Sequence, residues 1–308
     1  MMLNFLYAFD ENYNTQGCVS LFSLLENLDQ PANFYIILDS SNKDLAFPDL
    51  IKNHKNLNQL TIKEINTKEK FYNVESSHVS KATFYRLYIS SLFKNDEIKL
   101  IYLDADIVCA SNPVSEINSI IKEMDVENKV VAFANEFYRT QNDEPFIRLG
   151  MKGHKYFNAG VMIVNLKKWK DLNYSEKSQQ LIDVLKNKAK FWDQDVLNSL
   201  IDGDYLTIDN NLNYRTADLG VKSNLGDIKF VHYSGKSKPW DVGGIFEELA
   251  LVYHDYFRRL FGKQYHIISK NRKNSIRKLL KRLKFYNLIS PNNFIKYFFQ
   301  SIFVIIKK

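Results

Sequence analysis

The 308-residue chain is 45% apolar and 14% aromatic, which is enough to bury one sizeable core but excludes two large independent domains. Residues 251–308 contain 14 of the 42 Lys and Arg residues but one of the 35 acidic residues, so a segment of formal charge +13 follows a body of charge −6. The two cysteines lie in apolar segments without metal-ligand spacing, which excludes a disulfide framework and favours a reducing compartment.

Strands and helices are predicted to alternate along the chain, because short apolar runs are followed by polar residues and then by apolar residues at helical spacing. Predicted strands occupy residues 3–9, 34–39, 60–65, 99–103, 130–134, 157–165, 205–208 and 229–232, and predicted helices occupy 19–28, 45–52, 79–93, 175–189 and 194–201. This order predicts an α/β fold with a mostly parallel, doubly wound sheet. Ligand-binding groups should then lie at the carboxyl ends of the strands.

The division of charge predicts a body over residues 1–250 and a basic, partly helical tail over 251–308. In the tail, residues 276–284 have the pattern of a basic amphipathic helix, and residues 294–306 are apolar but too few to span a bilayer. We expect the tail to lie on an anionic membrane surface; the alternative is a C-terminal helix packed on the body. Neither a leader peptide nor a run of about 20 apolar residues is evident, so we expect neither export nor a transmembrane anchor.

A basic tail is also typical of proteins that bind nucleic acid or other polyanions. Here the tail contains no recognised nucleic-acid motif, and the acidic body repels a polyanion. We therefore expect no nucleic-acid partner, and a location in the cytoplasm at the inner face of the cytoplasmic membrane.

The triplet Asp104-Ala105-Asp106 follows a predicted buried strand, unlike the D-x-D triplets at 193–195 and 202–204. Two carboxylates at a strand end can chelate a divalent cation that also bridges two phosphate oxygens; the alternative is a solvated acidic turn. His232 ends another predicted strand and is a third candidate ligand, although a lone histidine there is more often structural or solvated. An imidazole beside two carboxylates suits Mn²⁺ better than Ca²⁺.

Two further groups of polar residues follow predicted strands. Gly235 allows the backbone to come close to a diphosphate, and Lys238 can neutralise the charge that grows on it as a sugar bond breaks. Asp10 and Asn12 follow the first strand, where short polar side chains can read a base edge or ribose hydroxyls; a helix cap or Asx turn is the alternative.

The segment Phe-Asn-Ala-Gly at 157–160 places small residues inside a predicted strand, so the backbone amides and the Asn158 amide can approach a sugar. A β-bulge is the alternative. The triplet at 193–195 precedes an apolar helix, for which Asp193 is the predicted N-cap and Asp195 a first-turn charge. A capped helix start is a rigid platform from which Gln194 or Asp195 can contact a reacting sugar.

These segments, in this order from about Asn4 to Trp240, resemble the family-eight retaining glycosyltransferases, and especially bacterial lipopolysaccharide galactosyl- and glucosyltransferases. The matching motifs are YAFDEN at 7–12, FYRL at 84–87, IYLDAD at 101–106, FNAG at 157–160, DQD at 193–195 and HYSGKSKPW at 232–240. The resemblance implies a GT-A fold, a UDP-galactose or UDP-glucose donor, a saccharide or glycolipid acceptor, Mn²⁺ or alternatively Mg²⁺, and retention of the anomeric configuration.

The resemblance also implies roles for individual residues. The implied donor-binding residues are Asp10 and Asn12 at uridine, Ala105 at the ribose, and Arg86, Asp104, Asn135, Asn158, Ala159, Gly160, Gly235 and Lys238; the implied metal ligands are Asp104, Asp106 and His232. Asp193, Gln194 and Asp195 are implied to lie near the β face of the anomeric carbon. One position departs from the pattern, because Asn135 stands where the galactosyltransferases typically have an aspartate that helps hold the donor sugar. The identity of the hexose is therefore open.

The mechanism that these roles imply needs no protein acid, because Mn²⁺ and Lys238 stabilise the leaving UDP, whereas a glycosidase must protonate its leaving group. The acceptor hydroxyl attacks from the face that UDP leaves, with a diphosphate oxygen as its base, and Gln194 steadies the oxocarbenium-like centre. Whether Gln194, Asp195 or neither forms a covalent intermediate is open. The alternative function is a membrane- or polyanion-binding protein that uses the basic tail and has a non-catalytic nucleotide-sugar-binding domain.

Overall fold

The computed structural model describes residues 1–66, 81–94, 98–136, 144–218, 226–235, 238–241 and 249–263. These residues divide into two compact units. The first contains those of 1–215 and 220–232, and the second contains those of 216–219 and 233–308. Among the described residues, no helix combines the length and the apolar character needed to cross a lipid bilayer.

Strands and helices alternate through the first unit, as the apolar pattern predicts. The strands are β1 (Asn4–Ala8), β2 (Ala32–Asp39), β3 (Leu57–Ile65), β4 (Lys99–Leu103), β5 (Ile107–Cys109), β6 (Val131–Asn135), β7 (Phe157–Asn165), β8 (Leu206–Ile208), β9 (Tyr214–Arg215) and β10 (Phe230–His232). The α-helices are α1 (Asn14–Asn27), α2 (Asp49–Lys52), α3 (Ile89–Leu92), α4 (Val114–Val126), α5 (Glu144–Leu149), α6 (Leu166–Asp171), α7 (Tyr174–Leu185) and α8 (Trp192–Ile201). Single-turn and longer 3₁₀-helices occupy Glu11–Tyr13, Lys81–Tyr88 and Asn210–Asn213.

The central sheet has seven strands in the order β3-β2-β1-β4-β7-β6-β8. Strands β3, β2, β1 and β4 run parallel to one another, and β8 runs parallel to β6. The predicted mostly parallel sheet is therefore confirmed. The exception is β7, which pairs antiparallel with both β4 and β6.

All nine residues of β7 are buried, which explains why its sequence is apolar without alternation: both faces of the strand are covered. Its register against β6 shifts between Phe133 and Ala134, whose partners are Met162 and Asn158. Residues 159–161 therefore have no partners on β6, and the irregularity that the sequence indicates at this motif is present. On the other side, the carbonyl of Gly160 accepts a hydrogen bond from the backbone N–H of Asp104 at 2.9 Å.

A second sheet of three strands, in the order β5-β10-β9, lies in the same unit. Strand β10 is antiparallel to β5 and parallel to β9. Its last residue, His232, pairs with Ile107 in β5, directly after Asp106. The short strand predicted at 229–232 thus belongs to this small sheet and brings a distant histidine beside the D-x-D triplet.

Two helix predictions are wrong in part. The helix predicted at 45–52 begins only after Pro48, because the residue before a proline avoids helical backbone angles. The α-helix predicted at 79–93 is, over its described residues, a 3₁₀-helix from Lys81 to Tyr88 followed by α3. Apolar spacing does not distinguish three from 3.6 residues per turn over so short a segment.

The second unit contains helix α9 (Ala250–Phe261), which ends at Gly262 in a left-handed conformation. Its buried residues Tyr253 and Phe257 belong to an aromatic cluster, and the Tyr233 hydroxyl donates a hydrogen bond to the carbonyl of Leu249 at 2.7 Å. The predicted tail segments 276–284 and 294–306 lie outside the described residues.

Candidate active site

Three side chains that the sequence singles out as metal ligands lie together in the first unit. Asp104 follows β4, Asp106 precedes β5 and His232 ends β10. Each offers one ligand atom, and these atoms lie within 4.8 Å of one another; His232 Nε2 is 3.4 Å from Asp106 Oδ1. Ala105, buried between the two aspartates, allows the tight turn that joins β4 to β5.

This donor set fits one divalent cation. Protein ligands lie about 2.0–2.6 Å from Mg²⁺ or Ca²⁺, so ligand atoms this close together can bind one ion with small adjustments. Two carboxylates and an imidazole suit a first-row metal such as Mn²⁺, whereas Ca²⁺ prefers a set of oxygen atoms. The side chains of Asp104 and Asp106 are only 25% and 13% exposed, which limits competition from water.

Arg86 holds Asp104 in place from within the core. Its Nη2 lies 2.7 Å from Asp104 Oδ1 and its Nε lies 2.9 Å from Asp193 Oδ2. The guanidinium also donates to the carbonyl of Ala159 and lies 4.2 Å from the centre of the Tyr102 ring, while the Tyr102 hydroxyl donates to Asp104 Oδ1 at 2.8 Å. Burial lowers the pKa of Arg86, but the two carboxylates outweigh this and raise it, so the cation is retained.

Asp193 is not the N-cap of α8, so this prediction is wrong. The N-cap is Phe191, which makes no side-chain cap hydrogen bond, and Asp193 lies inside the first turn, buried against Arg86. A buried guanidinium needs a carboxylate partner, and this requirement outweighs capping. Burial raises the pKa of Asp193 to about 7, against the lowering effect of Arg86.

Asp195 is a first-turn acidic residue, as predicted, and it is fully buried. Its Oδ2 accepts hydrogen bonds from the backbone N–H groups of Lys190 and Phe191 at 2.7 and 2.8 Å, and Arg148 Nη1 lies 2.7 Å from the same atom. Its Oδ1 accepts from the Tyr156 hydroxyl at 2.6 Å. Asp195 thus fixes the start of α8 and leaves the half-buried Gln194 as the more accessible member of the triplet.

Gln194 contacts the first residues of β7. Its Oε1 accepts from Asn158 Nδ2 at 3.0 Å and from the N–H of Ala159 at 3.2 Å. Its Nε2 donates to the Tyr156 hydroxyl at 3.1 Å and to Glu136 Oε1 at 3.2 Å. The structure therefore brings together two motifs that the sequence gives separately, FNAG and DQD.

Glu136 and Tyr156 are site residues that the sequence analysis missed. Glu136 Oε1 also accepts from Asn158 Nδ2 at 3.2 Å and forms an ion pair with Arg215, whose side chain is 9% exposed. Each missed residue directly adjoins a motif residue, Glu136 after Asn135 and Tyr156 before FNAG. Their position directly beside a strand end is the sequence signal that could have identified them.

Asn135, implied to hold the hexose, ends β6, and its Oδ1 accepts a hydrogen bond from the Tyr205 hydroxyl. Asp10 follows β1, the neighbour of β4, and its Oδ1 accepts from the N–H of Asn12 at 2.9 Å, which caps the 3₁₀-helix there. The cap interpretation of Asp10 is thus confirmed. Contacts of these residues with a sugar or uridine stay predictions.

Gly235 and Lys238 belong to the second unit. Gly235 has a φ of +73°, a left-handed conformation that favours glycine. The Lys238 ammonium group donates to the carbonyl of Tyr233. Their approach to a diphosphate stays a prediction.

Gly160 is required for the position of His232. A Cβ atom added at Gly160 would lie 2.3 Å from His232 Cε1 and 2.7 Å from Nδ1, far inside van der Waals contact. The histidine ring therefore packs directly on the backbone of β7. The small residue in FNAG thus makes room for the His232 ring.

Comparisons with known proteins show which family the chain resembles. Residues 4–243 match the family model described as Glycosyl transferase family 8. The lipopolysaccharide 1,2-glucosyltransferase of Escherichia coli K12 is 31% identical over 260 residues, which cover 79% of this chain and 74% of that protein. The lipopolysaccharide 1,3-galactosyltransferase of Salmonella typhimurium is 28% identical over 260 residues, which also cover 79% of this chain and 74% of that protein.

The structure is also similar to a solved one, that of galactosyltransferase LgtC in complex with donor and acceptor sugar analogs. The TM-score is 0.66 at 20% sequence identity, and the match covers 84% of this chain and 96% of that one. At this identity the likeness concerns the fold, which is the GT-A fold that the sequence resemblance implies.

We expect Gly160→Ala to lower Mn²⁺ affinity at least about tenfold with native far-ultraviolet circular dichroism, because the new methyl group displaces the His232 ring. Free Mn²⁺ measured by electron paramagnetic resonance during titration gives the affinity. Gly226→Ala is the matched control, since a Cβ there meets nothing within 4 Å. Equal Mn²⁺ affinity in the Gly160 variant and the wild type would contradict the role of Gly160 in positioning His232 as a ligand.

Proposed function

Because the chain belongs to glycosyl transferase family 8 and is a hexosyltransferase, we propose that it moves galactose or glucose from a UDP-sugar to a saccharide acceptor, with Mn²⁺ bound by Asp104, Asp106 and His232. The observation that carries this proposal is the cluster of two carboxylates and an imidazole at the carboxyl end of β4. Mg²⁺ is the alternative cation, because it also binds carboxylate oxygens.

The names of two relatives support the choice of sugar and acceptor. One is a lipopolysaccharide glucosyltransferase and the other a lipopolysaccharide galactosyltransferase. Both sugars are hexoses, and both names include lipopolysaccharide. We propose a lipopolysaccharide, lipooligosaccharide or similar surface glycan as the acceptor.

Asp104, Asp106 and His232 would hold the divalent cation, which would supply positive charge to the diphosphate of the leaving UDP, so that no protein acid would have to protonate it. Arg86 and Tyr102 both contact Asp104 Oδ1, which fixes the carboxylate before the donor arrives. We assign Lys238 to the diphosphate on the basis of the sequence resemblance. The acceptor hydroxyl then attacks from the face that UDP leaves, and a diphosphate oxygen of the leaving UDP takes the hydroxyl proton.

Gln194 is the residue we assign to the oxocarbenium-like centre of the reacting sugar. Both oxygens of Asp195 accept strong hydrogen bonds and the residue has no exposed surface, so it is poorly placed as a nucleophile. Gln194 is half-buried, and its side-chain amide is fixed by hydrogen bonds to Asn158, Ala159 and Tyr156. These contacts support electrostatic stabilisation by Gln194 over covalent catalysis by Asp195.

We expect Asp104→Asn and Asp106→Asn each to lower kcat for hexose transfer by at least about a hundredfold, because each removes a charged metal ligand. Transfer from UDP-galactose and UDP-glucose is measured with Mn²⁺, after EDTA, and with Ca²⁺. Asp204→Asn, in another D-x-D triplet and on the surface, is the matched control. Near-normal rates in either site variant would rule out the metal assignment, and equal restoration by Ca²⁺ and Mn²⁺ would contradict the role of His232 as a ligand.

We expect Asn135→Asp to change the ratio of kcat/KM for UDP-galactose and UDP-glucose without changing the Mn²⁺ requirement, because the side chain is assigned to the hexose. Aspartate keeps the acceptor oxygen for Tyr205, so the fold is preserved. Glu136→Gln is measured beside it. If that variant changes the ratio and Asn135→Asp does not, the sugar-binding carboxylate is Glu136 instead.

The basic tail is proposed to hold the enzyme at the inner face of the cytoplasmic membrane, close to a lipid-linked acceptor. Each Lys or Arg near an anionic leaflet contributes about 1 kcal/mol to membrane binding, and residues 251–308 contain 14 of them.

We expect a chain ending at residue 265 to keep transfer to small acceptors but to lose co-sedimentation with phosphatidylserine vesicles. Phosphatidylcholine vesicles are the control. Equal binding by both chains, or full-length binding that is insensitive to salt, would contradict the membrane assignment.

A further inference from the structure

Two backbone amides fix the orientation of the side-chain amides in the site. The N–H of Gly160 lies 3.0 Å from Asn158 Oδ1, and the N–H of Ala159 lies 3.2 Å from Gln194 Oε1. A backbone N–H can only donate, so each side-chain atom that faces it must be an oxygen. Asn158 then presents its NH₂ group to the Gln194 oxygen at 3.0 Å. The two backbone donors thus give the same orientation for Asn158.

This orientation continues to the histidine through Asn213. Asn158 Oδ1 faces Asn213 at 3.0 Å, so the Asn213 atom at this contact must be the donor, Nδ2. The other end of the Asn213 amide is therefore its oxygen, which lies 2.8 Å from His232 Nδ1. Because an amide oxygen only accepts, the hydrogen of the neutral imidazole lies on Nδ1. Nε2 then has its lone pair available.

Nε2 is the ring atom on the side of the two aspartates. Its distance to Asp106 Oδ1 is 3.4 Å, longer than an ordinary hydrogen bond, whereas the Nδ1 contact has ordinary hydrogen-bond length. The geometry thus favours a hydrogen on Nδ1 over one on Nε2. The opposite tautomer would place a hydrogen atom where a cation has to bind and would set two acceptors, Nδ1 and the Asn213 oxygen, against each other.

The fold holds Asn213 rigidly against His232. Asn213 ends the 3₁₀-helix Asn210–Asn213, which Asp209 caps by accepting a hydrogen bond from the N–H of Asn211 at 2.7 Å. Strand β9 follows at once and pairs with β10, with Arg215 opposite His232. Asn213 and His232 are 2% and 4% exposed, so solvent has little access to replace the hydrogen bond between them.

We propose that Asn213 is a positioning residue that fixes the Nδ1–H tautomer of His232 and so prepares Nε2 to bind the metal; this proposal rests on the metal site of the proposed function. The chain Gln194–Asn158–Asn213–His232 also links the amide assigned to the sugar with the metal ligand. Each member holds the next in one orientation. The tautomer of the ligand is thus determined by the backbone of β7.

The tautomer can be measured without metal. In metal-free protein labelled with ¹⁵N-histidine, long-range ¹H–¹⁵N correlation spectra distinguish the two tautomers, and His232→Gln assigns the signals. We expect His232 to have its hydrogen on Nδ1 in the wild type. Asn213→Leu removes the acceptor, so the variant should lose this tautomer preference. It should also bind Mn²⁺ about 10- to 100-fold more weakly, because the metal-ligating histidine loses the hydrogen bond that orients it.

Two variants separate this role from general support of the fold. Asn213→Asp keeps an acceptor for Nδ1–H but loses the donor to Asn158 Oδ1, so the hydrogen should stay on Nδ1 although the link to β7 is broken. Asn211→Leu, in the same 3₁₀-helix, should leave both the tautomer and the Mn²⁺ affinity unchanged. An Nε2–H tautomer in the wild type, or an Asn213→Leu variant with unchanged tautomer and affinity, would overturn the proposal. If the tautomer behaves as expected but the wild type does not bind Mn²⁺, the tautomer assignment stands and the proposed metal function fails.

Discussion

The antiparallel course of β7 is the constraint on which the site depends. Because β7 runs against β4 and β6, its first residues lie beside the carboxyl ends of those strands, where Asp104 and Glu136 stand. A parallel β7 of nine residues would place Phe157, the first residue of FNAG, at the other end of the strand, about 26 Å away for eight steps of about 3.3 Å. The same arrangement lets Gly160 accommodate the His232 ring and lets Ala159 reach Gln194. One strand direction therefore brings Asp104 and His232 together with Asn158 and Gln194.

Buried charge fixes the two halves of the site relative to each other. Arg86 contacts Asp104, one of the three proposed metal ligands, and Asp193, in the first turn of α8. A guanidinium taken out of water is costly unless carboxylates and carbonyl groups surround it, and here two carboxylates and the Ala159 carbonyl do so. A second buried pair, Arg148 with Asp195, anchors the same helix start. The helix that carries Gln194 is thus held by ionic contacts on both sides of that residue.

Local features of the sequence were sufficient to predict much of this. Apolar runs located the strands, and polar residues at their ends identified Asp104, Asp106 and His232, which the structure brings within one cluster. Pro48 is a further local signal, because it shows that the helix predicted at 45–52 cannot begin before it. The direction of β7, the pairing of Asp193 with Arg86 and the contact of Asn213 with His232 depend on residues far apart in the chain. No periodicity or motif encodes such pairings, so a local pattern assigned Asp193 to a cap and gave no role to Asn213.

The most direct test of the account is the position of the metal. Crystals of the full chain grown with Mn²⁺ and UDP are measured on both sides of the manganese absorption edge, so that anomalous scattering locates the ion. We expect one strong peak bonded to a carboxylate oxygen of Asp104, a carboxylate oxygen of Asp106 and Nε2 of His232, with the diphosphate completing the coordination. A peak elsewhere, or coordination by His232 through Nδ1, would contradict the account.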